Sequence, residues 1–169
     1  MDGNHENWLS RADYNKVINK IHAHGVSIIH GKSISVPNTN VVIHGISDPD
    51  GGAFDKDLKT VTDNLNNDIY KNHVHILLTH RPEHIDTYLN YPFDIIMAGH
   101  AHGGQWRVPF VINGVYAPNQ GLFPKYAGGL YEFVNDHNTK FIVSQGLARE
   151  STRVPRLFNR PELVFVSLE

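Results

Sequence analysis

The chain has 169 residues, 40% of them hydrophobic and 19% charged, the composition of a globular protein rather than a disordered one. A formal charge of −2 supplies no basic face for nucleic acid, and no apolar run approaches the roughly 18–20 residues that span a bilayer. There is no cysteine, which excludes disulfides, thiolate metal sites and a cysteine nucleophile, whereas 12 histidines point to metals held by nitrogen and oxygen donors.

In chain order, the period of Tyr14, Val17, Ile18 and Ile21 predicts a helix over residues 8–23, closed by Gly25. Residues 26–29 and 34–36 read as a hairpin around His30-Gly31-Lys32-Ser33, with a third short strand at 41–43. Phe54, Leu58, Val61, Leu65 and Ile69 form one apolar stripe, predicting a helix over 54–70. A buried strand follows at 74–78, then a short helix over 82–89 that Pro82 can open. Residues 94–98 form another buried strand running into Gly99-His100. Late strands are expected at 131–134, 141–143 and 163–166, with Asn135-Asp136-His137-Asn138 as a hairpin turn. No repeat, low-complexity tract or linker interrupts this order, so residues 1–169 read as one α/β domain.

Three segments carry chemistry: Gly3-Asn4-His5-Glu6, Thr79-His80-Arg81-Pro82-Glu83 and Gly99-His100-Ala101-His102-Gly103-Gly104-Gln105. The last two directly follow buried strands, and loops at the carboxyl ends of strands are where α/β proteins bind ligands. Flanking glycines let His100 and His102 turn toward neighbouring points. Taken singly, each segment also has a plain structural reading as a turn or a strand cap.

Together they resemble the calcineurin-like metallophosphoesterases. Gly3-Asn4-His5-Glu6 looks like the family's GNH[DE] block, Thr79-His80 like its isolated histidine block, and Gly99-His100-Ala101-His102 like its GHxH block. The segments Ser144-Gln145-Gly146-Leu147 and Arg156-Leu157-Phe158-Asn159-Arg160-Pro161-Glu162-Leu163 are similar to the branch holding bacterial UDP-diacylglucosamine pyrophosphatases and related phosphodiesterases. The resemblance implies a sandwich of two mixed β-sheets flanked by helices, here the carboxyl-terminal portion of that domain. It implies two divalent ions (Mn, Fe or Zn) and hydrolysis of phosphodiester or pyrophosphate bonds, a nucleotide-sugar-lipid being one such substrate. Asn4, His80 and His100 would bind the second metal and His102 the first, while His5 would lie over the phosphoryl group and act on the leaving oxygen.

The family's earlier Asp-x-His and Gly-Asp-x-x-Asp blocks have no counterpart in this sequence. Ser47-Asp48-Pro49-Asp50 holds carboxylates but stands at another place in the order. The expectation is therefore a truncated chain with at most one well-held ion, compromised turnover and an exposed sheet edge. A non-catalytic metal- or phosphate-binding remnant of the same fold is the alternative. Relatives in this branch are often membrane-proximal, and the sequence leaves the compartment and the oligomeric state open. Arg149, Arg153, Arg156 and Arg160 form a basic tail segment that could meet phosphates or make structural pairs. His22, His24, His30, His44, His73, His75, His84 and His137 read as packing or surface residues, and Phe123, Pro124 and Tyr126 as a loop that packs or lines a groove.

Overall fold

A computed structural model of the chain describes residues 1–65, 68–108, 111–134, 136–147 and 155–168. Its helices are α1 (Asn4–Asn7), α2 (Arg11–Ala23), α3 (Phe54–Leu65) and α4 (Ile85–Tyr88). The strands are β1 (Lys32–Ser35), β2 (Val41–Gly45), β3 (Val74–Leu78), β4 (Ile95–Ala98), β5 (Tyr116–Ala117), β6 (Gly121–Leu122), β7 (Gly129–Glu132) and β8 (Lys140–Val143). Six of them form one mixed sheet in the order β1-β2-β3-β4-β8-β7, with β2, β3, β4 and β8 parallel and the two edge strands antiparallel. The remaining two, β5 and β6, pair as a small antiparallel ribbon.

Alternation along the central strands decides which residues reach the core. Leu77 of β3, Ile96 and Ala98 of β4, and Phe141 and Val143 of β8 meet Leu58, Val61 and Leu65 of α3 and Ile85 and Tyr88 of α4. Tyr126 and Phe93 complete this cluster. Along the opposite face of the sheet, Ile95 and Ile142 line a cavity closed by Val164, Phe165 and Val166 of the tail.

Several elements differ from the sequence expectation. The first hairpin is β1–β2, and residues 26–29 are not a strand. The turn chemistry lies in Pro37-Asn38-Thr39-Asn40, where Asn38 takes φ 60° and the Val36 N–H donates to the Val41 carbonyl at 2.9 Å. The first long helix starts later than expected, at Arg11, because the Ser10 hydroxyl caps it by accepting from the Asp13 N–H. The third helix ends earlier, at Leu65, and Asp68–Tyr70 is a separate 3-10 turn. Residues 163–166 form no strand: they cross the sheet face instead of joining an edge, leaving Leu163 and Phe165 exposed. A second large sheet is also absent among the described residues, so the sandwich is seen only as a mixed α/β layer. Asn135 of the expected β7–β8 turn and Arg149 and Arg153 of the basic tail lie outside the described residues.

Candidate metal centre

Because β2, β3, β4 and β8 run in parallel, the loops leaving their carboxyl ends share one rim of the sheet. Backbone pairing continues one step past each strand and fixes these loops relative to one another. The Ile46 N–H donates to Leu78 O (3.2 Å), Thr79 N–H to Met97 O (2.9 Å), and Ser144 N–H to Ala98 O (2.9 Å). The loops beginning at Ile46, Thr79 and Gly99 therefore open onto a common space, which α1 enters from the side through its contact with the turn Pro49–Gly51.

Three predicted residues converge there. His80 Nε2 lies 2.9 Å from Asn4 Oδ1 and 3.1 Å from His100 Nδ1. Neighbouring ligands of an ion with bonds of about 2.1 Å stand about 3 Å apart, so the spacing fits a single cation. Hydrogen bonds have the same length, and the donor chemistry separates the two cases. His80 Nε2 offers at most one hydrogen to its two neighbours, so electron pairs are in surplus at this point, which is the imbalance a cation removes. Burial, followed by repulsion from His100, lowers the His80 pKa to about 4, so the ring is neutral at pH 7 and free to donate a lone pair.

Local sequence explains the convergence. A Cβ at Gly3 would stand 2.6 Å from His80 Cε1, inside contact distance, so only glycine lets α1 bring Asn4 against that ring. His100 and His102 both adopt left-handed backbone, with φ of 61° and 50°, and fold the loop back over the strand ends. Asn159 holds this loop: its buried side-chain amide donates to the carbonyls of His102 (2.6 Å) and Gln105 (3.1 Å). This gives the Arg156–Leu163 motif a structural task. Arg156 works beside it, donating from Nη2 to the Gln145 carbonyl at 2.6 Å.

His102 and His5 stand apart from the triad. The His102 ring centroid is 6.5 Å from that of His100 and 6.4 Å from that of His5. Burial, and then the charge of Arg156, lowers the His102 pKa to about 4. His5 is exposed and stacks on Trp8 with centroids 5.0 Å apart. Asn4, His5, His100 and His102 all line one cavity of about 430 Å³, closed by Trp8, Asp50, Arg81, Pro118 and Asn119.

Sequence reasoning gave Arg81 and Asn119 no role and set Asp48 aside for its place in the order. Arg81 is buried, and it donates from Nε and Nη2 to the two Asp48 oxygens (2.6 and 3.0 Å) and pairs with Asp50 at 2.9 Å. Burial alone would raise the Asp48 carboxyl, but the hydrogen bond and charge of Arg81 outweigh it and hold that carboxyl below its usual range. The Asp48 and Asp50 carboxylates thus do reach the rim, and Arg81 occupies them. Among the described residues, no three His, Cys, Asp or Glu side chains group tightly enough to hold an ion by themselves. The donors present fit one ion through two imidazoles and an amide.

A mixed sheet carrying neutral donors on its carboxyl rim defines an α/β protein with a candidate metal centre. Comparison with curated proteins narrows the class: the chain is similar to bacterial proteins named as metallophosphoesterases, a phosphodiesterase and a pyrophosphatase. It is 33% identical over 95 residues to the uncharacterized metallophosphoesterase YkuE of Bacillus subtilis strain 168, covering 56% of this chain and 30% of that protein. The metallophosphoesterase YkoQ of the same organism, also uncharacterized, is 26% identical over 168 residues, covering 96% of this chain and 57% of YkoQ. The UDP-2,3-diacylglucosamine pyrophosphatase LpxG of Chlamydia muridarum is 32% identical over 91 residues, or 52% of this chain and 27% of LpxG. The chain thus spans little more than half the length of the one relative of these three that it matches nearly end to end. No family model and no solved structure matches it. No helix among the described residues is long and apolar enough to cross a membrane.

Proposed function

We propose that this chain forms the histidine-rich half of a metal-dependent phosphoesterase site acting on phosphodiester or pyrophosphate bonds. The approach of both Asn4 Oδ1 and His100 Nδ1 to His80 Nε2 carries the reading. These residues would hold one divalent ion (Mn, Fe or Zn), and His102, on the adjoining wall, would serve a second ion where further ligands join it. When bound, the ions supply a Lewis acid for a phosphoryl oxygen.

The chain's own residues do the remaining work. The cavity of about 430 Å³ admits a phosphoryl group between the triad and His5. In this reading water adds to the phosphorus as the bond to the leaving oxygen breaks, and His5, on the open side of the cavity, would donate the proton that the leaving oxygen takes up. Trp8 restricts the His5 ring to one plane by stacking on it. His80 stays neutral chiefly because burial disfavours its charged form. LpxG's name and the shared motifs favour a substrate with two linked phosphates, including a nucleotide-sugar-lipid. A metal-binding role without turnover is the second reading, favoured by the capture of Asp48 and Asp50 by Arg81.

Metal content and hydrolysis of bis(p-nitrophenyl) phosphate, measured on one sample with added Mn²⁺, test the proposal. The expected result is metal uptake that His80→Ala or His100→Ala abolishes, and turnover that His5→Ala lowers at least tenfold with uptake unchanged. Uptake without turnover in the unsubstituted chain leaves the metal-binding reading. Equal loss of uptake in all three variants overturns the division of roles.

A further inference from the structure

His100 can present a lone pair to the triad only if its proton sits on the other ring nitrogen, and the surroundings of that nitrogen decide the matter. Arg81 Nη1 lies 2.7 Å from Asn119 Oδ1, and His100 Nε2 lies 2.8 Å from the same atom. A guanidinium has only donors, so the Asn119 atom facing it has to be the amide oxygen, and the amide's orientation is settled. That oxygen has only lone pairs to offer His100 Nε2. A hydrogen is needed between them, and a neutral imidazole then keeps Nδ1 bare.

We infer that Arg81 and Asn119 are positioning residues that lock His100 in its Nε2–H tautomer and so aim the Nδ1 lone pair at His80 and Asn4. The 3.2 Å separation of Arg81 Nη1 and His100 Nε2 fits this arrangement, since both N–H groups converge on one oxygen. The opposite tautomer would set the Nε2 lone pair against the Asn119 oxygen at 2.8 Å, a repulsive contact. Arg81 cannot turn away to relieve it, because Asp48 holds two of its nitrogens and Asp50 pairs with one of the same two. Asn119 adopts left-handed backbone with φ 61°, a conformation asparagine tolerates, and this places its side chain over the cavity. Outer hydrogen bonds of this kind orient metal-binding histidines and raise their basicity, and losing one commonly lowers metal affinity 10–100-fold. The inference rests on the metal-site reading above, and its test separates the two.

The test uses ¹⁵N-labelled full chain at pH 7.5, with long-range ¹H–¹⁵N correlation of the imidazole rings, followed by Zn²⁺ titration. Asn119→Gly removes the acceptor while keeping the backbone relaxed, and Asn119→Asp restores an oxygen acceptor. The expected result is a His100 Nε2–H signature in the parent chain and in Asn119→Asp. Asn119→Gly should show mixed tautomers and Zn²⁺ affinity reduced at least tenfold. An Nδ1–H signature in the parent chain, or full Zn²⁺ affinity in Asn119→Gly, overturns the inference. An Nε2–H signature without any Zn²⁺ uptake upholds the tautomer assignment and overturns the metal site.

Discussion

His44 gives the fold a specific acid sensitivity. It is fully buried in the middle of a directional relay that requires neutral rings. The Asn64 amide donates to Ser33 Oγ (3.0 Å), leaving the Ser33 hydroxyl to donate to His44 Nδ1 (2.8 Å). The His44 Nε2–H then donates to His75 Nδ1 (3.0 Å), and the remaining His75 N–H reaches the Tyr70 carbonyl. Protonating His44 turns its Nδ1 into a donor facing a donor and buries a charge. Burial, with repulsion from His75 second, accordingly lowers its pKa from 6.5 to about 4. The unfolded chain therefore takes up this proton more readily than the folded one. The neutral relay's stability is fully present above about pH 6.5, is lost as pH falls toward 4, and loses nothing further below that. The difference amounts to roughly 3 kcal/mol once complete and roughly 2 kcal/mol at pH 5. Urea unfolding of the parent chain and of His44→Phe, each at pH 7.5 and pH 5.0, isolates this contribution from that of other buried histidines. The variant should start weaker, having lost two buried hydrogen bonds, but should lose about 2 kcal/mol less on acidification. Equal losses in both proteins would refute the reasoning.

Three other substitutions probe the site. Gly3→Ala should leave the sheet folded yet reduce divalent-ion affinity at least tenfold by isothermal titration, since its Cβ would stand 2.6 Å from His80 Cε1. Asn159→Ala should cost about 1–3 kcal/mol in thermal unfolding, because the carbonyls of His102 and Gln105 lose their donor. Trp8→Ala frees the His5 ring from its stack and should lower kcat on a phosphodiester severalfold while ion binding, measured on the same sample, stays constant.

The parallel core of the fold was legible because its strands are short apolar runs that end in recognisable loops. Residues 74–78 and 94–98 were expected as strands, and β3 and β4 formed within one residue of those bounds. The first hairpin was misplaced because His30-Gly31-Lys32-Ser33 and Pro37-Asn38-Thr39-Asn40 both carry turn residues, and local composition does not say which is paired with β2. Residues 163–166 have strand-forming side chains, but a strand needs an edge, and edges are set by topology. Within the site, Asn4, His80 and His100 were readable from three motifs, and their meeting is geometric. Arg81 was hidden in plain view beside His80, since nothing in a lone arginine signals that Asp48, Asp50 and Asn119 will surround it. The pairing of His44 with His75 was equally unreadable, because it crosses two strands whose register only the folded sheet defines.

The charges around Arg81 resolve an apparent contradiction in placing a guanidinium 3.2 Å from a proposed metal ligand. Arg81 pairs with Asp48 at 2.6 Å, Asp50 at 2.9 Å and Glu83 at 3.5 Å, so three carboxylates face one positive charge. With three carboxylates to one guanidinium on the rim, a cation beside His100 would meet a favourable field even though its proposed ligands are neutral. Neutral ligands leave the ion's own charge largely uncancelled, which is what polarising a phosphoryl oxygen requires. The carboxylates therefore act at one remove, through the arginine and its asparagine. That arrangement would orient the imidazole while the cavity shared by His5, His100 and His102 stays open beside it.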